Sequence, residues 1–254
     1  VNDGVATLTL NRPAALNALS VDMMKALADA TARLAHRDDL RVVVVQGAGD
    51  HFMAGGDLKD FAAHLHLSPE SRLATFRAMI EQYINQSVEA LQGLPVPVIA
   101  RVQGACAGFG LSLVLGCDMA VAAHSAYFTT AYASIALSGD GGVSWLLPRV
   151  LGRRKAFELL LLADRFDAAE AQRLGVVNRV AQADELDAAV ADLVARVVRG
   201  PGRTYGEIKR LLNASPEQSL GAQLQLEAEA FARCTSRPDF DEGINAFLGK
   251  RKAR

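Results

Sequence analysis

Gly104-Ala105-Cys106-Ala107-Gly108-Phe109-Gly110 joins two apolar runs, and the fold turns on how that junction is read. Ahead of it, residues 96–103 are short, apolar and bounded by prolines, the pattern of a strand covered on both faces. Behind it, the residues up to Gly116 are apolar all round, the pattern of a buried helix. Taken as one stretch, residues 105–123 would be about long enough to cross a bilayer. Ser112, Asp118 and the glycines at 108, 110 and 116 interrupt that stretch, and Gly104 stands just before it. A strand, a small-residue loop and a core helix is therefore the reading.

The same alternation extends in both directions. Residues 5–10 read as a strand, broken by Asn11-Arg12-Pro13 because proline cannot donate to a ladder. Ser20 is placed as the N-cap of a helix running to about His36. Residues 42–46 form another fully apolar strand, followed by a turn at Gly47-Ala48-Gly49-Asp50. Ser68-Pro69-Glu70 opens a long amphipathic helix to about Leu91, and residues 119–122 and 127–129 are further strands. Strand alternating with helix predicts an α/β fold with crossovers on stacked sheets. From about Arg153 nearly everything has helical spacing: residues 153–163, 167–174, 184–198, 201–212, 216–234 and 239–248. No Pro/Ser-rich linker intervenes, so a core over residues 1–195 is expected to carry a helical extension over 196–254. Trp145 and Phe157 are read as core.

Half of the 254 residues are hydrophobic and 22% are charged, which suits a globular chain able to bury its own core. A formal net charge of −1 offers no general attraction to nucleic acid or to an anionic membrane. The three cysteines form no CxxC pair, and the opening residues carry no basic-then-apolar leader pattern. A reducing, cytoplasmic compartment is expected.

Two small-residue loops are candidates for chemistry. One is Phe52-Met53-Ala54-Gly55-Gly56-Asp57-Leu58, the other the 104–110 junction. Small residues let a ligand approach the backbone, and an amide at a helix N-terminus favours an oxyanion. Two such amides aimed at one point would make an oxyanion hole. Each loop alone could equally be a plain turn. Neither is a dinucleotide fingerprint, since G-x-G-x-x-G does not occur.

In order along the chain stand Asn11-Arg12-Pro13 followed by Asn17-Ala18-Leu19, then Ala54-Gly55-Gly56-Asp57-Leu58, then 104–110 with Cys117-Asp118. Asp140-Gly141-Gly142 with Leu147-Pro148-Arg149 and Gly152 follows, and Phe247 to Lys252 closes the series. This set resembles the crotonase (enoyl-CoA hydratase/isomerase) family over nearly the whole chain. The pattern is most similar to acyl-CoA isomerases of the phenylacetyl-CoA type. The resemblance implies a crotonase-like ββα superhelix with a C-terminal helical trimerisation region, assembled as a trimer or a dimer of trimers. It implies an acyl-CoA substrate, no separate cofactor and no metal. Carried over position by position, the amides of Gly56 and Phe109 form the oxyanion hole. Ala15, Leu16, Ala54, Lys59, Phe247 and Lys250 lie along CoA, with surface charge as the plain alternative for the two lysines.

The proton chemistry departs from the family. Its hydratases use two glutamates, and those positions hold Ser112 and Tyr132, with Ala131 in place of the usual proline. Asp140 is the carboxylate left in that neighbourhood, where some isomerases and aryl-CoA dehalogenases of the family keep a working aspartate. The resemblance thus implies an enolate-type isomerase with Asp140 as acid/base. A hydratase with non-standard groups and a non-catalytic acyl-CoA binder are the alternatives. For Asp140 itself the alternative is a helix cap near Gly142. Ser112 lacks a nucleophile elbow, so a pocket-lining residue is the expectation. His64 and His66 would face different sides of a helix, which argues against a metal pair. Asp57 is expected to cap the turn behind the first loop.

Overall fold

Residues 1–251 are described by a computed structural model. Its strands, in chain order, are β1 (Val5–Leu10), β2 (Val42–Gly47), β3 (Val98–Val102), β4 (Ala105–Ala107), β5 (Met119–Ala123), β6 (Tyr127–Thr129), β7 (Phe166–Asp167) and β8 (Arg179–Ala181). The main sheet is five-stranded, in the order β1-β2-β3-β5-β8, and every pairing in it is parallel. A second layer starts where main-sheet strands turn a corner. Leu19 bridges Gly56, Met53 bridges Cys106, and β4 pairs with β6, all in parallel; β7 closes this layer antiparallel to β6.

A helix follows each corner and returns the chain to the next main-sheet strand. The helices are α1 (Val21–Ala35), α2 (Leu58–Ala62), α3 (Pro69–Met79), α4 (Gln86–Gly93), α5 (Phe109–Gly116), α6 (Val143–Leu151), α7 (Arg153–Leu162), α8 (Ala168–Arg173), α9 (Leu186–Arg199), α10 (Gly202–Ala214), α11 (Leu220–Thr235) and α12 (Pro238–Leu248). Strand, corner segment and helix repeat as a ββα superhelix. A π-helical segment, Ile80–Asn85, joins α3 to α4, so the long helix expected from Ser68 onward is one element with a bulge.

The valine run in β2 explains why this sheet is central. Val43 and Val45 face one core, shared with Leu27 of α1 and Leu91 of α4. Val42 and Val44 face the other, against Leu186, Val190, Leu193 and Val197 of α9. Burying each of those four side chains is worth about 1.5–3 kcal/mol. Arg41 reinforces the contact, donating to the carbonyl oxygens of Val198 at 2.9 Å and Gly200 at 2.6 Å, at the C-terminal end of α9. Residue 195 falls inside α9, a helix that covers the sheet, and α10, α11 and α12 follow it as a helical arm.

Among the described residues, no helix is long and apolar enough to cross a membrane. In the 105–123 stretch only α5 is helical, and all of its residues are buried. Trp145 and Phe157 are not core. On α6 the buried residues are Val143 and Leu147, so Trp145 sits on the other face, with the Arg149 guanidinium 3.7 Å from its ring centroid. Phe157 is likewise off the Ala156/Leu159 face of α7 and is 58% exposed.

The helical arm is tied to the core through one buried cation. Lys209 of α10 is 6% exposed, and its Nζ donates to Asp118 Oδ2 at 2.8 Å and to the carbonyl oxygens of Leu91 at 2.9 Å and Val96 at 3.4 Å. Asp118 Oδ2 also accepts the Val98 amide at 2.7 Å. The ends of α4, β3 and β5 therefore meet on one ammonium group. Within the arm, Glu207 accepts Arg233, Arg210 and Arg237, and Arg233 foremost, with Arg210, holds its carboxyl down at about 2 against the cost of burial.

Lys209→Met removes the charge and leaves a partly buried carboxylate and two backbone carbonyls without their shared donor. A loss of about 3 kcal/mol or more is expected, read as a lower urea midpoint with unchanged slope.

Candidate functional site

The site begins with backbone registry. Segment 52–57 runs between two neighbours. On one side Phe52 N donates to Gln103 O and Met53 N to Ala105 O, at 2.7 and 2.9 Å, and Ala107 N returns to Met53 O at 2.9 Å. On the other side Ala54 N donates to Leu16 O, Leu19 N to Gly55 O, and Asp57 N to Leu19 O. His51 adds a stitch, its Nδ1 accepting the Ala105 amide at 3.0 Å, which fixes its proton on Nε2.

This registry forces Gly55 against Gly108. A Cβ on Gly108 would lie 3.3 Å from the Gly55 α-carbon, and both residues have positive φ, +97° and +52°. Only glycine meets both demands at once. The consequence is that the amides just beyond, those of Gly56 and Phe109, belong to adjacent backbone segments. Phe109 N is the first amide of α5, where no carbonyl of the helix can reach it. Among the described residues outside helices and strands, neither amide donates to a protein acceptor.

The side chains behind these loops are held by charge. Asp57 caps α2, accepting Lys59 N at 3.0 Å, and pairs with Arg12 at 2.9 Å. The Arg12 contact, with the Lys59 amide, holds the Asp57 carboxyl below the usual carboxylate range. Arg12 Nη1 also donates to Ala18 O, and buried Asn17 bridges Arg12 N, Ala48 O and His51 O. Ala15 and Leu16 thus sit on a braced turn beside Ala54. Phe61 of α2 stands directly over Gly56, where a Cβ would be 2.7 Å from its ring. Phe76 meets Phe61 edge-on at 5.2 Å, and His64 meets Phe76 at 5.5 Å. Nothing in the spacing of 61, 64 and 76 announces that aromatic cluster, because it forms between two helices.

Ser112, Tyr132 and Asp140 come together. Tyr132 Oη donates to Asp140 Oδ1 at 2.6 Å and lies 2.9 Å from Ser112 Oγ, which lies 3.0 Å from the Asp140 carbonyl oxygen. Gly141 packs this turn onto the start of α5, since a Cβ there would be 2.7 Å from the Phe109 ring and 3.0 Å from Ser112 Cβ. Asp140 does not cap α6 with its side chain; the N-cap is Gly142, and only the Asp140 carbonyl accepts, from Val143 N. Burial pushes the Asp140 carboxyl above its ordinary 3.8, and the Tyr132 hydrogen bond opposes that rise. Burial, with the Asp140 charge next, pushes the Tyr132 phenol well above 10, so Tyr132 is a donor and not a base.

Other expected residues are dispersed. Lys59 is exposed on α2, and Phe247 and Lys250 lie on α12 and the turn after it, Phe247 being 83% exposed. Lys252, the last lysine of the closing motif, lies outside the described residues. His64 and His66 each place Nδ1 against a carbonyl of their own segment, at 2.8 and 2.7 Å.

Two stability outcomes follow. Ala131 has φ +58°, and its amide donates to Thr129 Oγ1 at 3.1 Å. Proline cannot adopt that φ and lacks the donor, so Ala131→Pro should cost about 3 kcal/mol, whereas Ala131→Gly should be neutral or stabilising by up to about 1 kcal/mol; thermal unfolding separates the two. For Asp140, a raised folded pKa means that the ionised carboxylate costs stability as pH rises beyond 3.8. Asp140→Asn should therefore be more stable than the parent at pH 7.5, with the difference fading as pH falls towards 3.8, in paired denaturant titrations.

Comparison with known proteins agrees with this architecture. The family model for enoyl-CoA hydratase/isomerase matches residues 1–254. A 1,2-epoxyphenylacetyl-CoA isomerase of Escherichia coli (strain K12) is 36% identical over 251 residues, 99% of this chain and 94% of its own. A 4-chlorobenzoyl coenzyme A dehalogenase-2 of an Arthrobacter species is 29% identical, over 98% of this chain and 88% of its own. The crystal structure of an enoyl-CoA hydratase from Polaromonas sp. JS666 superposes with a TM-score of 0.90 at 35% identity, covering 100% of this chain and 97% of that one. With its ββα superhelix and these relatives, the chain belongs to the enoyl-CoA hydratase/isomerase family.

Proposed function

We propose that this protein is an acyl-CoA isomerase that works through a thioester enolate, with Asp140 as its acid/base group. The observation that carries the reading is the pairing of two free amides on adjacent segments with one partly buried carboxyl on the turn packed against them. The amides of Gly56 and Phe109 would donate to the thioester oxygen as negative charge develops on it. One such donor is worth on the order of 3 kcal/mol in the transition state. Asp140 would take the proton from the activated carbon and return it elsewhere on the acyl group. A carboxyl raised by burial suits both halves of that exchange.

The residues present favour this over water addition. Hydration needs a base on the water and an acid at the α-carbon. Ser112 and Tyr132 supply no carboxylate, and the raised phenol of Tyr132 is no base at neutral pH. Likeness to a 1,2-epoxyphenylacetyl-CoA isomerase and to a 4-chlorobenzoyl coenzyme A dehalogenase supports a ring-bearing acyl group, as does Phe61 over Gly56 with Phe76 edge-on to it.

CoA would run along Ala15, Leu16 and Ala54, with Lys59 towards its phosphates. Phe247 and Lys250 would reach CoA from a neighbouring subunit. Exposed Leu220, Phe231, Phe247 and Leu248 on the helical arm support a homo-oligomer, a trimer or a dimer of trimers.

The test is hydrogen exchange at the α-carbon in D2O for crotonyl-CoA, 3-hexenoyl-CoA and phenylacetyl-CoA. Exchange is expected with at least one of them, and Asp140→Asn should lower it roughly 10²–10⁴-fold while CoA-ester affinity holds. Undiminished exchange in Asp140→Asn would remove Asp140 from the reaction.

A further inference from the structure

Asp140 sits on a turn whose backbone does little to aim it. Gly139, Gly141 and Gly142 surround it, all at positive φ, and its side chain caps no helix. The restraint on the carboxyl comes instead from Tyr132, which is 7% exposed and donates to Oδ1 at 2.6 Å. A phenol has one proton, and this one is committed to Asp140. The Ser112 hydroxyl, fully buried, then has its own proton for Tyr132 Oη at 2.9 Å or the Asp140 carbonyl at 3.0 Å. The direction of the Tyr132–Asp140 bond is therefore fixed while the carboxyl is ionised, and Ser112 can bond the phenol oxygen only as its donor.

A second observation concerns how Tyr132 gets there. The preceding residue, Ala131, has φ +58°, and Tyr132 N closes a tight turn on Thr130 O at 2.7 Å. Left-handed backbone at a residue with a Cβ costs about 1–2 kcal/mol and persists where the surroundings impose it. Here the strained turn aims the phenol inward, while residues 133–138 after it are all exposed.

We propose that Tyr132 is a positioning residue for Asp140: its hydroxyl pins Oδ1, leaving Oδ2 as the oxygen that takes and returns the substrate proton, with Ser112 bracing the phenol. This rests on the reading of Asp140 as the acid/base group. In the step concerned, the α C–H bond breaks and an O–H bond forms on Oδ2. The electron pair of the broken bond passes into the enolate, whose oxygen faces the amides of Gly56 and Phe109. Reprotonation at another carbon restores the carboxylate, and Oδ1 stays bonded to Tyr132 throughout. Tyr132 is the titratable group that bears on Asp140, so its removal should be visible in the titration of that carboxyl.

The experiment uses the full chain labelled with 13C at the aspartate carboxyls, the Asp140 signal being assigned by its absence in Asp140→Asn. In Tyr132→Phe, the Asp140 midpoint should move to higher pH, because a donor to the carboxylate is gone. With phenylacetyl-CoA in D2O, kcat for exchange should fall about 10- to 100-fold with KM nearly unchanged, and the acid limb of the rate profile should move up with the midpoint. Ser112→Ala should give a smaller loss in the same direction. An unchanged midpoint and acid limb in Tyr132→Phe would overturn the proposal. If Tyr132→Phe does not fold, 3-fluorotyrosine at 132, a more acidic donor, should lower the midpoint, and no movement there overturns the proposal equally. Absence of exchange with any acyl-CoA in the wild type defeats the acid/base assignment, a result separate from the ligand-free titration.

Discussion

Everything at the candidate site depends on the close approach of two backbones, Gly55 against Gly108. That approach is possible because segment 52–57 is hydrogen-bonded on both sides, to residues 16–19 and to 103–107. Side chains contribute afterwards. Arg12, Asn17, Asp57 and His51 satisfy the polar groups that this crowding would otherwise leave bare. The amides of Gly56 and Phe109 lie just beyond this paired registry.

Much of this was legible in the residues, for identifiable reasons. The valine run of β2 and the flanking prolines of β3 announce strands buried on both faces, and both are found so. Ser20 and Asp57 cap the helices expected of them, since a short oxygen-bearing side chain before an apolar run has few other uses. The shortest strands were harder. β4 and β8 have three residues and β7 has two, too few for any period to develop. Trp145 and Phe157 misled because size alone suggests burial, whereas helical phase decides it. The contact of Tyr132 with Asp140 spans a loop with no repeating pattern, so only the absence of glutamate at 112 and 132 hinted that something else must act there.

The region around Asp140 sets stability against chemistry. A carboxyl on a glycine-rich turn, partly removed from water, is raised in pKa and costs folding energy when ionised. The strained Ala131 adds to that cost. These penalties are offset at a distance by the two-faced burial of β2 and by Lys209, which gathers α4, β3 and β5 far along the chain from the strained loop.

The strict chain order of the main-sheet strands has a further consequence. Each ββα turn touches chiefly the turns before and after it, as in a solenoid. The amide pair is registered by the ladder between 52–57 and 103–107, while α2, α3 and α4 form an excursion that leaves the ladder at Asp57 and rejoins it at Val98. Within that excursion α3 contributes no buried residue, so its length and composition are the least tied to the amides. Such a scaffold fixes the amide pair by the ladder alone, and leaves the aromatic cluster of Phe61 and Phe76 on elements outside it.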